Sequence, residues 1–300
     1  MAAAPPVRWL FVGAGNMASA LVGGLIAGGT GAASVALADP DARARERATA
    51  AFGTAAHAGA DAALDALAGA GPDAPRTGVV LAVKPHHVGS VCAALARHDA
   101  WRAPGPERPF VVSIAAGVRI AAMARALDAG GARAADDPTA IVRAMPNTPS
   151  LVGRGGAAIV ANPAAGPAVR AAALGLFESV GTAVELDEES LLDAVTALSG
   201  SGPAYALALI EHMAHAGTGL GLDPAVAERL AIATVAGAGA MAAASDVPPA
   251  TLRERVTSKG GTTAAALDSL AADGFAGAVG RAMRAAHARA VELGDASGDA

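Results

Sequence analysis

The sequence predicts an α/β domain at residues 1–186 followed by an all-α domain at residues 187–300. In the first part, short apolar runs alternate with alanine-rich segments of helical length, which is typical of parallel strands connected by helices. After Asp187 the strand-like runs disappear, and the apolar segments have the length of helices. A chain of 300 residues, 53% hydrophobic and 16% charged, can fill two such domains and is unlike a disordered protein.

Seven strands and five helices are predicted for the first domain, and six helices for the second. Two stretches rich in proline and glycine, 69–76 and 103–109, are predicted to be surface loops. The predicted strands are 7–12, 35–38, 78–83, 110–114, 140–145, 156–161 and 182–186, and the predicted helices are 17–27, 42–51, 88–97, 118–127, 167–179, 190–198, 204–216, 224–244, 249–256, 263–272 and 275–292.

Charge and cysteine content exclude several classes of protein. The chain has 27 acidic and 22 basic residues, a net charge of -5, without the basic patch that binding to a phosphate backbone requires. The single cysteine, Cys92, cannot form an internal disulfide, and its apolar helical surroundings predict a buried, unreactive thiol. The first residues lack the basic start and apolar run of a signal peptide. We therefore expect a cytoplasmic protein that does not bind nucleic acid.

Mean hydropathy is +0.41, and residues 9–38 carry no charge over a length that exceeds a membrane span. Seven glycines interrupt this stretch, and glycine punctuates turns and loops. The sequence therefore predicts strand, turn, helix and loop here, and no membrane partner.

The motif Gly13-Ala14-Gly15-Asn16-Met17-Ala18 follows a predicted strand and opens a predicted helix. This is the context in which a G-x-G-x-x-G/A pattern indicates a Rossmann-type dinucleotide site. Gly13 permits a tight turn, Gly15 lets the backbone approach a pyrophosphate, and Ala18 keeps the helix close to the sheet. The free amides of the helix N-terminus would receive the negative charge.

Asp39 ends the second predicted strand, where an acidic residue binds the ribose hydroxyls of NAD. Arg43 and Arg45 follow closely, and a guanidinium there could neutralise the 2′-phosphate of NADP. The same residues also fit a capped helix start, with Asp39 or Asp41 at the N-terminus. The residues leave the choice between these interpretations open.

Four further turns carry candidate ligand groups. Lys84-Pro85 stands at the carboxyl end of the third predicted strand, where open α/β sheets bind ligands. Ser199–Pro203 and the stretch 258–263 combine glycines with hydroxyl side chains at predicted helix starts, which would leave amides free for an anion. In the rigid turn 145–149, Asn147 and Thr148 are free to bind a ligand or their own backbone.

The chain offers no strong metal or nucleophile signature. His212 and His215 share a helical face beside Glu211, but the spacing is not H-E-x-x-H, so no metal is predicted. A G-x-S-x-G elbow and a P-loop are both missing from the sequence.

Several motifs resemble, in order, those of the pyrroline-5-carboxylate reductase family, and they extend from Val7 to about Arg284. The last two lie in the helical domain and are not shared with dinucleotide-binding proteins at large. The motifs are Phe11-Val12-Gly13-Ala14-Gly15-Asn16-Met17, Ala82-Val83-Lys84-Pro85, Ser113-Ile114-Ala115-Ala116-Gly117, Arg143-Ala144-Met145-Pro146-Asn147-Thr148-Pro149, Ala197-Leu198-Ser199-Gly200-Ser201-Gly202-Pro203-Ala204-Tyr205 and Val256-Thr257-Ser258-Lys259-Gly260-Gly261-Thr262-Thr263.

The resemblance implies an oxidoreductase that transfers hydride from NADPH, or from NADH, to the C=N carbon of 1-pyrroline-5-carboxylate. The product is L-proline, and the reaction is the last step of proline biosynthesis. The resemblance also implies a homodimer formed through the helical domain, able to assemble into rings such as decamers. The active site would lie between the Rossmann domain of one protomer and a helical domain.

The resemblance also implies roles for single residues. Thr263 matches the candidate hydrogen-bond donor to the ring nitrogen and is the predicted catalytic residue. The region after Asp39 differs among relatives, so the choice between NADPH and NADH stays open. Leu293-Gly294-Asp295 matches no family motif. The implied cofactor residues are Gly13, Ala14, Gly15, Asn16, Met17, Ala18, Lys84, Pro85, Ala115 and Ala116, and the implied substrate residues are Ser258, Gly260, Gly261, Thr262 and Thr263.

Two other functions fit the residues less well than the reductase. A related hydroxyacid dehydrogenase needs a base, typically a lysine early in its helical domain, and neither Lys84 nor Lys259 lies there. A cofactor sensor or assembly protein would have no use for two glycine-rich helix starts suited to a carboxylate. Reduction of an imine depends largely on positioning, so the lack of an acid–base pair is expected.

Overall fold

The computed structural model describes residues 7–67, 75–102, 108–128 and 137–298. The chain divides into two compact units, one formed by Met1–Gly200 with His287–Ala300 and the other by Ser201–Ala286. The first unit thus extends past the predicted boundary at residue 187 and includes the C-terminal residues. Assignment of residues 187–300 to dimerisation and substrate binding stays a prediction. Most of the predicted loops 69–76 and 103–109 lies outside the described residues.

The first unit is built on one sheet with helices between most of its strands. The strands are β1 (Val7–Val12), β2 (Val35–Ala38), β3 (Ala55–His57), β4 (Arg76–Leu81), β5 (Phe110–Ser113), β6 (Ile141–Met145), β7 (Gly155–Ala161) and β8 (Gly181–Glu185); the helices are α1 (Asn16–Ala27), α2 (Ala42–Phe52), α3 (Ala60–Leu67), α4 (Val88–Leu95), α5 (Ile120–Asp128), α6 (Pro167–Glu178) and α7 (Leu191–Val195).

The strand order is β3-β2-β1-β4-β5-β6-β7-β8. The first six strands are parallel and have the Rossmann order 3-2-1-4-5-6. This confirms the predicted fold class. The sheet is not wholly parallel, because β7 runs antiparallel to β6. Only a short 3₁₀ turn, Thr148–Val152, connects these two strands, and a parallel crossover needs a longer connection.

Alternate residues of β1 face opposite layers of helices. Trp9 and Phe11 belong to one buried cluster, which includes residues of α1 and α6. Leu10 and Val12 belong to another, which includes residues of α3, α4 and α5. A strand buried on both faces reads as a continuous apolar run, which is why residues 7–12 predicted a strand so clearly.

All seven predicted strands are present, with ends within two residues of the prediction. Strand β3 and helix α3 were not predicted from the sequence. With three residues, β3 is too short to stand out as an apolar run, and its structure comes from pairing with β2. The predicted helix 190–198 is also different, because α7 ends at Val195 and continues as a π-helical turn, Thr196–Gly200.

The second unit is helical, as predicted. In α8 (Gly202–Gly219), a Cβ atom on Gly217 would lie 3.4 Å from the Cβ of Ala227 in α9 (Pro224–Ala243), so small residues let the two helices approach closely. Large apolar side chains such as Leu207, Leu230 and Met241 remain exposed. The helices are α8 (Gly202–Gly219), α9 (Pro224–Ala243), α10 (Pro249–Arg255), α11 (Thr262–Ala272) and α12 (Phe275–Gly298), the last of which ends in the first unit.

Among the described residues, α9 is the one helix with the length and apolar composition of a membrane span. Length and composition of one helix are weak evidence for a membrane span, because the core helix of a soluble protein can have the same length and composition. The stretch 9–38, which raised the same question in the sequence, forms β1, α1 and β2 joined by turns.

Cys92 lies in α4 with no exposed surface, as predicted. Burial raises the pKa of its thiol to about 12. At about pH 8 only about one thiol in ten thousand would be ionised, and the thiolate is the reactive form. We therefore expect no reaction of the native protein with dithionitrobenzoate at this pH, and release of one equivalent after unfolding in guanidinium chloride. Rapid labelling of the native protein would contradict the buried position.

Candidate functional site

The glycine-rich turn joins β1 to α1 where the order of the parallel strands reverses. Gly13 has a φ of +102°, and a Cβ atom on it would lie 2.6 Å from the carbonyl oxygen of Ala82. Its amide donates to the carbonyl of Ala38 at 2.7 Å. A side chain at this position would therefore meet the backbone that follows β4, and only glycine fits.

Gly15 has open space around it, and a Cβ atom added there would have no neighbour within 4 Å. It is the N-cap of α1, and no side chain caps the helix. The first amides of α1 therefore lack a side-chain acceptor at this end. Ala18 is 1% exposed and packs the helix onto the sheet. This geometry fits a pyrophosphate bound at the helix start.

Asp39 lies beside the glycine-rich turn. Its Oδ2 accepts from the amide of Ala14 at 2.8 Å, and its Oδ1 accepts from the amide of Asp41 at 2.9 Å. The cap of α2 is Asp41, which accepts from the amide of Arg43. Of the two predicted capping residues, Asp41 is therefore the one that caps the helix, while Asp39 connects the end of β2 to the glycine-rich turn.

Arg45 folds back over the turn after β2. Its Nη1 donates to the carbonyl of Asp39 at 2.8 Å and to that of Pro40 at 2.9 Å. This places a guanidinium against the backbone of the turn that carries Asp39, so groups suited to ribose hydroxyls and to a 2′-phosphate occur on the same turn.

Two more predicted cofactor segments follow neighbouring strands. Lys84 and Pro85 are exposed at the start of a short 3₁₀ turn after β4. Ala115 is buried and Ala116 exposed after β5, and the amide of Ile114 donates to the carbonyl of Leu81 at 3.1 Å. Because β1, β4 and β5 are adjacent and parallel, these segments and the glycine-rich turn follow the carboxyl ends of adjacent strands.

Asn147 connects three segments of the first unit. Its Nδ2 donates to the carbonyl and Oγ of Ser199 at 3.0 and 3.1 Å, and its Oδ1 accepts from the amide of Gly156 at 2.8 Å. The Oγ of Ser199 in turn donates to the carbonyl of Gly156. The Asn147 side chain thus holds the π-helical turn Thr196–Gly200 against β7. Such turns are frequent at functional sites.

The predicted substrate segment lies in the second unit, at the start of α11. Gly260 has a φ of +72°, and the amide of Gly261 donates to the carbonyl of Ser258 at 3.0 Å. Gly261 is the N-cap, with no capping side chain. Thr262 and Thr263 are exposed in the first turn of the helix. The turn therefore presents hydroxyls beside helix-start amides that no side chain caps.

Within the described ranges, no group of three or more histidine, cysteine or acidic side chains is arranged to hold a metal. The partners of one buried charge were not predicted from the sequence. Arg143 in β6 has a side chain 4% exposed that pairs with Glu189 at 2.9 Å. The available signal was an arginine inside an apolar strand, because a buried charge requires a partner.

Comparison with known proteins agrees with this geometry. The family model "Pyrroline-5-carboxylate reductase dimerisation" matches residues 189–293, and "NADP oxidoreductase coenzyme F420-dependent" matches residues 9–117. The chain is 42% identical to a pyrroline-5-carboxylate reductase of Pseudomonas aeruginosa over 97% of its own length and 98% of that protein.

Solved structures show the same relationship. A pyrroline-5-carboxylate reductase from Coxiella burnetii is 32% identical, with a TM-score of 0.84 over 95% of this chain and 98% of the other. A pyrroline carboxylate reductase from Plasmodium falciparum with NADP bound is 26% identical, with a TM-score of 0.75 over 97% and 99%.

The fold and the glycine-rich turn define a Rossmann-type dinucleotide-dependent oxidoreductase. Sequence identity of 42% over nearly the whole chain defines the family more specifically than the fold does. The chain belongs to the pyrroline-5-carboxylate reductase family.

The contacts of Asn147 predict a loss of stability and of activity in Asn147→Ala. The amide of Gly156 and the carbonyl of Ser199 would lose their partner, which costs about 1–3 kcal/mol of unfolding free energy. Asn162→Ala is a matched control, because Asn162 likewise joins two backbone groups, the amide of Ile141 and the carbonyl of Thr139.

Denaturant unfolding should show a similar loss of unfolding free energy in both variants, whereas oxidoreductase turnover should fall further in Asn147→Ala. Equal turnover in the two variants would show that the Ser199 turn has no role in activity.

Proposed function

We propose that the protein reduces 1-pyrroline-5-carboxylate to L-proline with NADPH, the final step of proline biosynthesis. The observation that carries the proposal is the 42% identity to a curated pyrroline-5-carboxylate reductase over 97% of the chain. The NADP oxidoreductase family model and the NADP-bound relative support the choice of NADPH, with NADH as a second donor.

The first unit supplies the cofactor residues in this proposal. Gly15 leaves room for the pyrophosphate beside the exposed start of α1, and Gly13 brings the turn against the end of β4. Asp39 and Arg45 stand beside this turn and are proposed to contact the adenosine ribose and its 2′-phosphate. Lys84, Pro85, Ala115 and Ala116 are proposed to line the rest of the cofactor site.

The second unit supplies the substrate residues. The start of α11 combines a turn of Ser258, Gly260 and Gly261 with uncapped helix-start amides, an arrangement that suits a carboxylate. The exposed hydroxyls of Thr262 and Thr263 add further donors. We assign these groups to the carboxylate and the ring nitrogen of the substrate.

Bound NADPH would supply the hydride and leave as NADP⁺. The carbon of the C=N bond accepts the hydride, and the nitrogen, which has a lone pair in the neutral imine, takes up a proton from solvent as the bond is reduced. In our proposal the Thr263 hydroxyl donates a hydrogen bond to this nitrogen, while the amides of the α11 start orient the carboxylate. Catalysis then depends chiefly on positioning, which can lower a barrier by several kcal/mol (about 7–11 for well-oriented intramolecular reactions).

We further propose a homodimer through the helical unit, assembled into rings such as decamers. The dimerisation model covers residues 189–293, and exposed Leu207, Leu230 and Met241 give this unit apolar surface of the kind that marks an interface. In such a dimer a second copy of the chain would cover the apolar side chains of α9, so the composition of this helix requires no membrane. We assign the enzyme to the cytoplasm, in line with its single, unpaired cysteine.

The direct test is an assay with 1-pyrroline-5-carboxylate that follows the loss of NADPH and of NADH absorbance separately. We expect substrate-dependent oxidation of NADPH and formation of proline. The ratio of kcat/KM for NADPH and NADH shows whether the 2′-phosphate contact proposed for Arg45 or the ribose contact proposed for Asp39 determines the cofactor preference. No oxidation of either cofactor would overturn the proposed function.

Gly15→Val should abolish cofactor binding without unfolding the protein. The open space at Gly15 accommodates the side chain, which would fill the position proposed for the pyrophosphate. Fluorescence titration with NADPH measures the binding, and size-exclusion chromatography shows whether the oligomer persists. Gly13→Val is the contrasting variant and should destabilise the fold, because its Cβ meets Ala82. Normal NADPH binding by Gly15→Val would contradict the pyrophosphate assignment.

Thr263→Ala should lower kcat about ten- to a hundredfold, because the loss of one positioned donor is equivalent to about 1.4–3 kcal/mol. Thr263→Ser keeps a hydroxyl and should recover most of the turnover. NADPH affinity should stay unchanged in both variants. Full activity of Thr263→Ala would remove this residue from the mechanism.

A further inference from the structure

The last turns of α12 lie against the corner of the chain that follows β5. Ala290 and Gly294, one helical turn apart, are both buried, and both belong to the first unit. A Cβ atom on Gly117, whose φ is +78°, would lie 3.2 Å from the carbonyl oxygen of Leu293. The backbones of the two segments are therefore close enough that a side chain at position 117 would crowd α12.

Arg119 is held between this helix and α7. A Cβ atom on Gly294 would lie 2.7 Å from Nη2 and 3.0 Å from Cζ of Arg119, so the guanidinium lies directly on the helix backbone. The same Nη2 donates to Oδ2 of Asp193 at 2.9 Å. The Asp193 side chain is 5% exposed, which makes this a largely desolvated pair that solvent screens little. Asp295 adds a more distant, exposed carboxylate at 3.9 Å.

A second carboxylate, that of Glu189, binds the backbone of Ile120, the residue after Arg119. Oε1 of Glu189 accepts from the amide of Ile120 at 2.8 Å and from Nη1 of Arg143 at 2.9 Å. Nη2 of Arg143 lies 3.9 Å from Asp193. Arg119, Arg143, Glu189 and Asp193 thus form one network, which joins the start of α5 to β6 and to α7.

This network adjoins the cofactor segment. Ala115 and Ala116 lie between the end of β5 and Gly117, so the strand holds one side of the segment and the Arg119 network holds the other. A cavity of about 670 Å³ borders the same region, with Pro85, Val118 and Ala296 among its lining residues. The end of α12 therefore shares this cavity with Pro85, and its Leu293 lies beside Gly117, the residue that follows Ala115-Ala116.

We propose that Arg119 is a positioning residue for the cofactor segment Ala115-Ala116, and that residues 290–295 of α12 hold its guanidinium in the orientation that reaches Asp193. This inference rests on the proposed function. It gives a role to Leu293-Gly294-Asp295, which matched no family motif. The role is local to the first unit, so it concerns cofactor affinity and not the substrate turn.

The test compares two single variants with their combination. Arg119→Ala removes the guanidinium. Gly294→Ala keeps every charge but adds a methyl group where the guanidinium lies, while alanine otherwise favours a helix. Arg289→Ala is the matched control, because this exposed arginine of the same helix pairs with Glu292 at 2.7 Å, away from Arg119 and Asp193.

The readouts are the Kd for NADPH from fluorescence titration, and kcat and KM for pyrroline-5-carboxylate at saturating NADPH. Each single variant should raise the Kd about tenfold, while the KM for the substrate and kcat stay within about twofold of wild type. Gly294→Ala should add nothing in the Arg119→Ala background, because the two changes disrupt one contact. Arg289→Ala should behave as wild type.

Unchanged NADPH affinity in Gly294→Ala, or additive effects in the double variant, would overturn the inference. If Arg119→Ala does not fold, Gly294→Ala still tests the inference, because this variant keeps every charged side chain of the network. A wild-type protein that binds NADPH but does not reduce pyrroline-5-carboxylate would disprove the proposed function, while the titrations would still test the role of Arg119.

Discussion

The close approach of three backbone segments at Gly13 is the constraint on which the cofactor half of the protein depends. Its amide bonds the end of β2, and the carbonyl after β4 occupies the space of a side chain. This contact directs the chain into α1 with the helix start exposed at the carboxyl edge of the sheet. A larger residue would move the turn away from β4, and the amides of α1 would no longer share an edge with Lys84 and Ala116.

Several charged and polar side chains of the first unit hold the loops that carry the candidate site. Asp39 supports the glycine-rich turn through Ala14, and Asn147 supports the Ser199 turn. Arg119 and Arg143 support the corner after β5. Loops that bind ligands have few apolar contacts of their own, so bonds from such side chains determine where the loop backbone lies.

The two units bury apolar surface to very different extents. In the first, both faces of the sheet are covered by helices, and large side chains such as Phe11, Trp101 and Phe177 are fully buried. In the second, the buried residues on α9 are two alanines, and leucines remain exposed. Small residues pack the helices closely but exclude little water, so this unit requires another apolar surface. The dimerisation match of residues 189–293 is consistent with that requirement.

The sequence by itself determined the α/β and all-α division, seven of the eight strands, and the glycine-rich turn, because buried strands and tight turns impose local residue patterns. It could not determine β3, the antiparallel direction of β7, or the partners of Asn147 and Arg119, since these depend on residues far apart in the chain. Arg119, for instance, pairs with Asp193, which lies 74 residues later in the chain, and with Asp295 on α12, which lies later still. Only the tertiary structure brought these groups together, because distant residues meet through the packing of helices on the sheet, and that packing leaves no local pattern in the sequence.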